Sequence, residues 1–373
     1  MKLIRNLFLV LLLCGTFWFL YDETYEKAGV TGVVHKIEDD IRYIIEHPVI
    51  TNTIQGFQSL IESLTEVELF DSEVPYPPTE NKQLHEPSEQ LFSIHNIEIG
   101  DSRDKVEQEA GQPERSTLNE YGVYWEAYHE NYQNFFMAAF DEQDNVIGLY
   151  TNQNLFSSKA DISENSSREE VLAELGATPV DTIRKGLVNY QIDSKGEYDI
   201  FHVNDQYITI FYDLHEGNTV TSILLIDEEM EQRKRDYFGE PSEQLKEGFE
   251  YQLFDLTNAA RMQHGLPILE WEEPLRETAR KHSEDMAANN YFSHTNPEGE
   301  SPFDRMQDDG ITFRMAGENL AAGQPSSIFA HEGLMNSTGH RENILNDGFR
   351  QLAVGVAFSE DAQPYYTENF LTK

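Results

Sequence analysis

Asn336-Ser337-Thr338-Gly339-His340-Arg341-Glu342-Asn343-Ile344-Leu345 packs a small polar turn, a glycine, a histidine and the opening of an apolar helical run into ten residues. Not far upstream lies Ala316-Gly317-Glu318-Asn319-Leu320, within which Gly317-Glu318-Asn319 reads as a turn. The two segments are expected to form opposite walls of one site. The text before residue 241 then serves to hold that site in place.

Around these walls the sequence changes character at Pro241. Phe249, Leu253, Leu256 and Ala260 fall on one helical stripe that stops at His264-Gly265, and Leu275, Ala279, His282 and Met286 form a second that closes at Asn289-Asn290. A Pro/Gly-rich loop through Ser301-Pro302 follows Tyr291-Phe292-Ser293-His294, and short helices are expected near Phe303 to Asp308 and into Met335. Ala353 to Phe358 and Tyr365 to Phe370 read as closing strands. Helices flanking a short antiparallel sheet give an α-β-α sandwich over 241–373.

Farther upstream, about 94–230, the sequence repeats itself once. Ser102-Arg103-Asp104-Lys105-Val106 leads to Gly111 and Pro113, and Ser167-Arg168-Glu169-Glu170-Val171 leads to Gly176 and Pro179. Ser167 with Glu170 has the form of a capping box, and both glycines suit a helix C-terminus with proline barring continuation. Strand-like runs follow each copy, among them Asn134 to Phe140 and Val146 to Tyr150 in the first and Tyr207 to Tyr212 and Val220 to Ile226 in the second. Each copy therefore reads as one helix on an antiparallel sheet. Side by side they make a wide, aromatic-rich sheet of the kind that often binds other proteins. Glu228 to Arg235 reads as a solvated helix connecting the two modules.

At the far end, Lys2 and Arg5 precede an apolar run from Leu7 to Tyr21. Fifteen helical residues reach about 22 Å, and counting from Leu3 with Arg5 snorkelling gives about 28 Å, close to a bilayer's hydrocarbon thickness. The run ends in Phe17-Trp18-Phe19-Leu20-Tyr21 and acids, without the small residues of a cleavage site, so residues 1–21 read as an uncleaved anchor. The basic lead places the N-terminus in the cytoplasm and the bulk outside; if the segment were cleaved the protein would be secreted. Residues 22–93 read as a helical stalk and linker. Beyond the anchor, 25 basic residues face 67 acidic ones, a charge of −42 that repels nucleic acid. The single cysteine, Cys14, rules out an intramolecular disulfide, so stability comes from packing.

In order along the chain, Thr257-Asn258-Ala259-Ala260-Arg261, Gly265-Leu266-Pro267, Trp271, Phe292-Ser293-His294, Gly317-Glu318-Asn319-Leu320, Gly339-His340-Arg341-Glu342-Asn343-Ile344-Leu345 and Val354-Gly355-Val356 resemble a CAP domain. This is the superfamily of cysteine-rich secretory proteins, antigen 5 and pathogenesis-related proteins, here in its bacterial, disulfide-free form. The resemblance covers roughly 248–370. The upstream repeat resembles the module that accompanies extracellular CAP domains in bacilli. Together these give an α+β chain: an N-terminal membrane helix, a tandem helix-plus-sheet domain and a C-terminal α-β-α sandwich.

The resemblance implies a shallow cleft of two histidines and two acids, its histidines able to take a divalent metal. Carried over, His294 and His340 are the histidines and Glu318 is one acid. Ser337 stands where the second acid is expected, and Glu332 is the available substitute; Asn319 completes the cleft. Two imidazoles, one carboxylate and water suit an open zinc site that could activate water, although a catalytic zinc ordinarily has three firm protein ligands. Alternatively, the histidines simply hydrogen-bond Glu318 and backbone to pin the cleft walls. His331-Glu332-Gly333-Leu334-Met335 begins like a zinc-protease helix, but Met335 occupies the second histidine's place. Glu318 and Glu332 are the candidate catalytic residues. The function expected is a binding module for an envelope component or another protein, held at the membrane by the N-terminal helix. The alternative is a zinc-dependent hydrolase of envelope peptide or glycan with Glu318 as general base.

Overall fold

The computed structural model describes residues 82–373, which lie within one compact unit. The expected anchor over 1–21 and nearly all of the stalk over 22–93 lie outside the described residues. No helix among the described residues is long and apolar enough to cross a membrane.

The first half contains β1 (Phe92–Ile94), α1 (Arg103–Ala110), β2 (Arg115–Leu118), β3 (Tyr124–Glu130), β4 (Gln133–Phe140), β5 (Val146–Thr151), β6 (Phe156–Ser158), α2 (Arg168–Leu175), β7 (Thr182–Lys185), β8 (Val188–Gln191), β9 (Tyr198–Val203), β10 (Gln206–Asp213), β11 (Thr219–Asp227) and α3 (Glu228–Arg233). The repeat is real at the level of capping. Ser102 accepts from Lys105 N in α1, Ser167 and Glu170 form the full capping box of α2, and Gly176 takes the left-handed conformation that ends it. The copies do not make two sheets. They share one seven-stranded antiparallel sheet in the order β2-β3-β4-β5-β11-β10-β9, joined where β5 pairs with β11 from Ile223↔Thr151 to Ile226↔Gly148.

The second half contains α4 (Glu243–Gln263), β12 (Glu270–Trp271), α5 (Glu273–Asn289), α6 (Pro302–Asp308), β13 (Met315–Ala322), α7 (Ser327–Asn336), α8 (Thr338–Ile344), β14 (Gln351–Phe358) and β15 (Pro364–Thr372). Its sheet has the order β12-β14-β15-β13. Alternation along β14 explains the three layers. Leu352, Val354 and Val356 pack with Phe249, Leu253 and Leu256 of α4, while Ala353 packs on Leu275 of α5. At Gly355 the α5 backbone comes so close that a Cβ would lie 2.1 Å from Arg280 N, so only glycine permits this approach.

Three expectations are corrected. Gly317-Glu318-Asn319 is not a turn but part of β13, which pairs along its length with β15. Gly317 signals close packing instead, since a Cβ there would lie 2.8 Å from the Phe349 ring. The connecting run is not fully solvated either: Met230 and Glu231 of α3 are buried, and Lys185 reaches Glu231 at 2.6 Å.

The third correction concerns the wide sheet, whose two faces are both covered. Phe136, Ala138 and Phe140 of β4 join Val106 of α1 and Val171 of α2 on one side. Phe135, Met137 and Ala139, from the alternate positions, join a core that continues into α4, α7 and β14 on the other. The face expected to be open to partners is occupied by the chain's own C-terminal half. Gly248 marks the contact, because a Cβ on this residue of α4 would lie 2.1 Å from Leu118 O in β2.

Candidate functional site

His294 lies in the loop after α5, Glu318 and Asn319 on β13, and His340 on α8. In strand β13 successive side chains point to opposite faces, which separates the roles of Glu318 and Asn319. Glu318 has 2% of its side chain exposed and uses both carboxylate oxygens. Oε1 accepts from His294 Nδ1 at 2.9 Å, and Oε2 accepts from Arg305 Nη2 at 2.7 Å. Arg305, on α6, also donates to the carbonyl oxygens of His294 at 2.8 Å and Glu300 at 3.1 Å. One buried guanidinium therefore fixes both the carboxylate and the loop that carries the first histidine.

Asn319 is fully buried and works inward. Its Nδ2 donates to His340 O at 3.2 Å and to Glu368 Oε2 at 3.0 Å, and its Oδ1 accepts from Asn343 Nδ2 at 2.9 Å. Asn343 also donates to Glu318 O at 3.3 Å. Glu368 accepts from Thr257 Oγ1 at 2.8 Å, and burial pushes its carboxyl up to about 7. This layer ties β13, β15, α4 and α8 together beneath the histidines. Asn343 follows His340 by one helical turn, a spacing that marks it as a neighbour on the same face.

The ring of His294 is about half exposed and that of His340 is partly buried. Desolvation, then the nearness of His294, lowers the His340 imidazole from its ordinary value and so favours the uncharged ring. Ser337 caps the junction of α7 and α8 through its backbone, with no side-chain capping bond. Glu332 does not join the cleft. It is buried on α7, where its Oε1 accepts from Tyr150 OH at 2.6 Å, and burial raises its carboxyl to about 7. The substitute acid thus belongs to the contact between the two halves, because its position on α7 turns it toward β5.

As a metal centre the constellation offers two imidazoles. Among the described residues no group of three or more histidine, cysteine or acidic side chains is arranged to hold a metal ion. Glu318 fits the supporting role better, since metal-binding histidines commonly give their second ring N–H to a carboxylate. Sequence reasoning found the histidines, Glu318 and Asn319 but missed Arg305 and Glu368. Thr257 and Asn343 lay inside quoted motifs, whereas Arg305 carries no local signal because the site residues it holds, His294 and Glu318, are eleven and thirteen positions away.

Two family descriptions match the chain: a CAP-associated N-terminal domain over 99–237 and the cysteine-rich secretory protein family over 254–370. The uncharacterized membrane protein YlbC of Bacillus subtilis is 30% identical over 311 residues, which covers 78% of this chain and 86% of that protein. YkwD of the same organism is 41% identical over 125 residues, covering 34% of this chain and 48% of the relative. An extracellular protein containing an SCP domain from Bacillus anthracis superposes with a TM-score of 0.64 at 29% identity, covering 80% of this chain and all of that one. A cysteine-rich secretory protein from Staphylococcus aureus superposes with a TM-score of 0.57 at 16% identity, covering 74% of this chain and 91% of the other, and so shares the fold.

Proposed function

Since this chain belongs to the cysteine-rich secretory protein (CAP) family and carries the CAP-associated N-terminal domain, we infer that it is an extracytoplasmic binding module of the cell envelope. Residues 1–21 anchor it in the membrane with the bulk outside. The description of its Bacillus subtilis relative as a membrane protein and the extracellular description of its Bacillus anthracis relative agree with this placement. Its partner is an envelope component or another protein, and the strongly acidic surface disfavours nucleic acid.

The observation that carries the binding reading is the burial of Glu318 between two donors. A general base must lie within hydrogen-bond reach of the water or hydroxyl it deprotonates. Here the carboxylate is only 2% exposed, with one oxygen accepting from His294 and the other from a buried arginine. Glu332 is engaged by Tyr150, and Glu368 lies beneath the site. A cleft so built is a fixed hydrogen-bonding wall. With Nδ1–H donated to Glu318, the half-exposed His294 ring turns Nε2 to an incoming group. His294 and His340 would be the residues that hold zinc, whose contribution when bound would be to polarise an oxygen ligand.

Zinc titrated into the purified ectodomain, with His294→Ala and His340→Ala beside it, tests the reading together with turnover assays on cell-wall fragments and casein. Zinc binding lost in both variants, without turnover, is the expected result. Chelator-sensitive turnover lost in both variants would establish the hydrolase instead. Absence of zinc binding would leave the histidines as hydrogen-bonded struts.

A further inference from the structure

The helix that carries His340 is gripped on both sides by the other half of the molecule. Immediately before it, Asn336 accepts from Leu214 N through Oδ1 at 2.9 Å and donates from Nδ2 to Tyr212 O at 2.9 Å. The carbonyl of Asn336 accepts from His215 Nε2 at 3.0 Å. Immediately after His340, Arg341 places Nη1 2.9 Å from Asp213 Oδ2 and Nη2 3.6 Å from Glu216 Oε1. All of these partners belong to the end of β10 and the turn that leads to β11.

The turn is itself closed by internal hydrogen bonds. Asp213 is buried, its Oδ1 accepts from the backbone of His215 at 2.8 Å and of Glu216 at 3.2 Å, and its carbonyl accepts from Asn218 N at 2.9 Å. Gly217 and Asn218 take positive φ, which closes the loop tightly. Within the C-terminal half α8 is short, and its N-cap residue, Ser337, makes no side-chain capping bond. An isolated helix of that length is not self-supporting in water. The clamp thus supplies what local sequence does not.

We propose that the Asp213–Asn218 turn of the CAP-associated domain is a positioning element for His340, so that the cleft is a two-domain site. The opposite wall, His294 with Glu318 and Arg305, is held entirely within the C-terminal half and does not depend on the turn. This asymmetry concerns geometry and holds whatever the cleft binds. Asn336 and Asp213 are positioning residues in this sense, since neither is a member of the cleft.

The test uses the full chain labelled at the histidine ring carbons, in the presence of chelator and at one fixed pH. Asn336→Ala and Asp213→Asn are each expected to shift the His340 ring resonance and leave that of His294 in place. Amide exchange in α8 should also quicken by about tenfold, equivalent to roughly 1.4 kcal/mol of local stability. Val106→Ala, which weakens the packing of α1 on the far face of the sheet, serves as a control for general destabilisation and should move neither histidine. An unmoved His340 in both turn variants would overturn the proposal, as would an equal shift of His340 in Val106→Ala.

Discussion

Glu318 and His294 form one pair with very unequal burial, 2% and 53% of their side chains being exposed. The inequality assigns different roles to substitutions at each end. Glu318→Gln preserves shape but removes the charge opposite Arg305, which is itself only 9% exposed. Breaking a buried pair on one side leaves an uncompensated charge and costs about 3–5 kcal/mol. His294→Ala removes a half-exposed ring whose loss costs about 1 kcal/mol or less. Urea denaturation should therefore show a large drop for Glu318→Gln and little change for His294→Ala. Equal effects would mean that Arg305 finds another partner. The residue scale is also where the sequence was least legible. Ser337 and Glu332 were read as one vacant acid and its substitute, yet a linear motif does not state which side of α7 faces the cleft, and Glu332 faces Tyr150.

On α7 that orientation makes the element a pH-sensitive part of the contact between the halves. Burial raises the Glu332 carboxyl to about 7, with the nearby Asp213 acting in the same direction and Tyr150 OH and Arg341 acting against it. A raised carboxyl contributes stability that is full below the ordinary carboxyl range, declines as pH rises through about 7 and is gone above it. Glu120 and Glu368, also raised to about 7 by burial, act in the same window. His331, lowered to about 3 by burial, acts oppositely: its stability is full above the usual imidazole value and falls as pH drops. His95 and His129, lowered to about 4 by burial, act with His331 around the usual imidazole value, so the carboxyl contribution is isolated by comparing the parent with a Glu332 variant rather than by the net trend. Glu332→Gln should match the parent near pH 5 and exceed it at pH 8 by about 1–3 kcal/mol, measured by urea denaturation across pH. A difference that stays constant with pH would show that Glu332 is ionised throughout. Elements of this kind were largely readable beforehand, because α4 and α5 carry helical stripes and α1 and α2 carry caps. β13 was not, since Gly317-Glu318-Asn319 has the composition of a turn and becomes a strand only through its pairing with β15.

Across the whole molecule the decisive feature is one apolar core that crosses from the seven-stranded sheet into the C-terminal helices. The sequence shows a twofold repeat and a C-terminal domain but not that they share a core, because β4 carries apolar residues on both faces and nothing local says what covers the second. Aromatic contacts fill the junction: Tyr132 meets Phe254 edge-on at 6.4 Å, and Phe329 meets Phe211 and Tyr198, each at 5.2 Å. Polar groups complete it, with Asp255 taking Arg115 at 2.9 Å and Tyr132 OH at 2.8 Å, and Gln153 donating to Ala259 O at 3.1 Å. Such a junction resembles the interior of one domain more than a contact between two that move independently. Residues 82–373 should therefore unfold in a single calorimetric transition, whereas two resolved transitions would show that the halves are only loosely docked. Residues 241–373 expressed alone should bind a hydrophobic dye through the bared Phe254 and Phe329 and melt roughly 10 °C or more below the intact protein. A truncated form that matched the parent in melting temperature and bound no dye would mean that the sheet adds nothing to the stability of the helices it covers. The clamp on His340 would then hold a helix that was already in place.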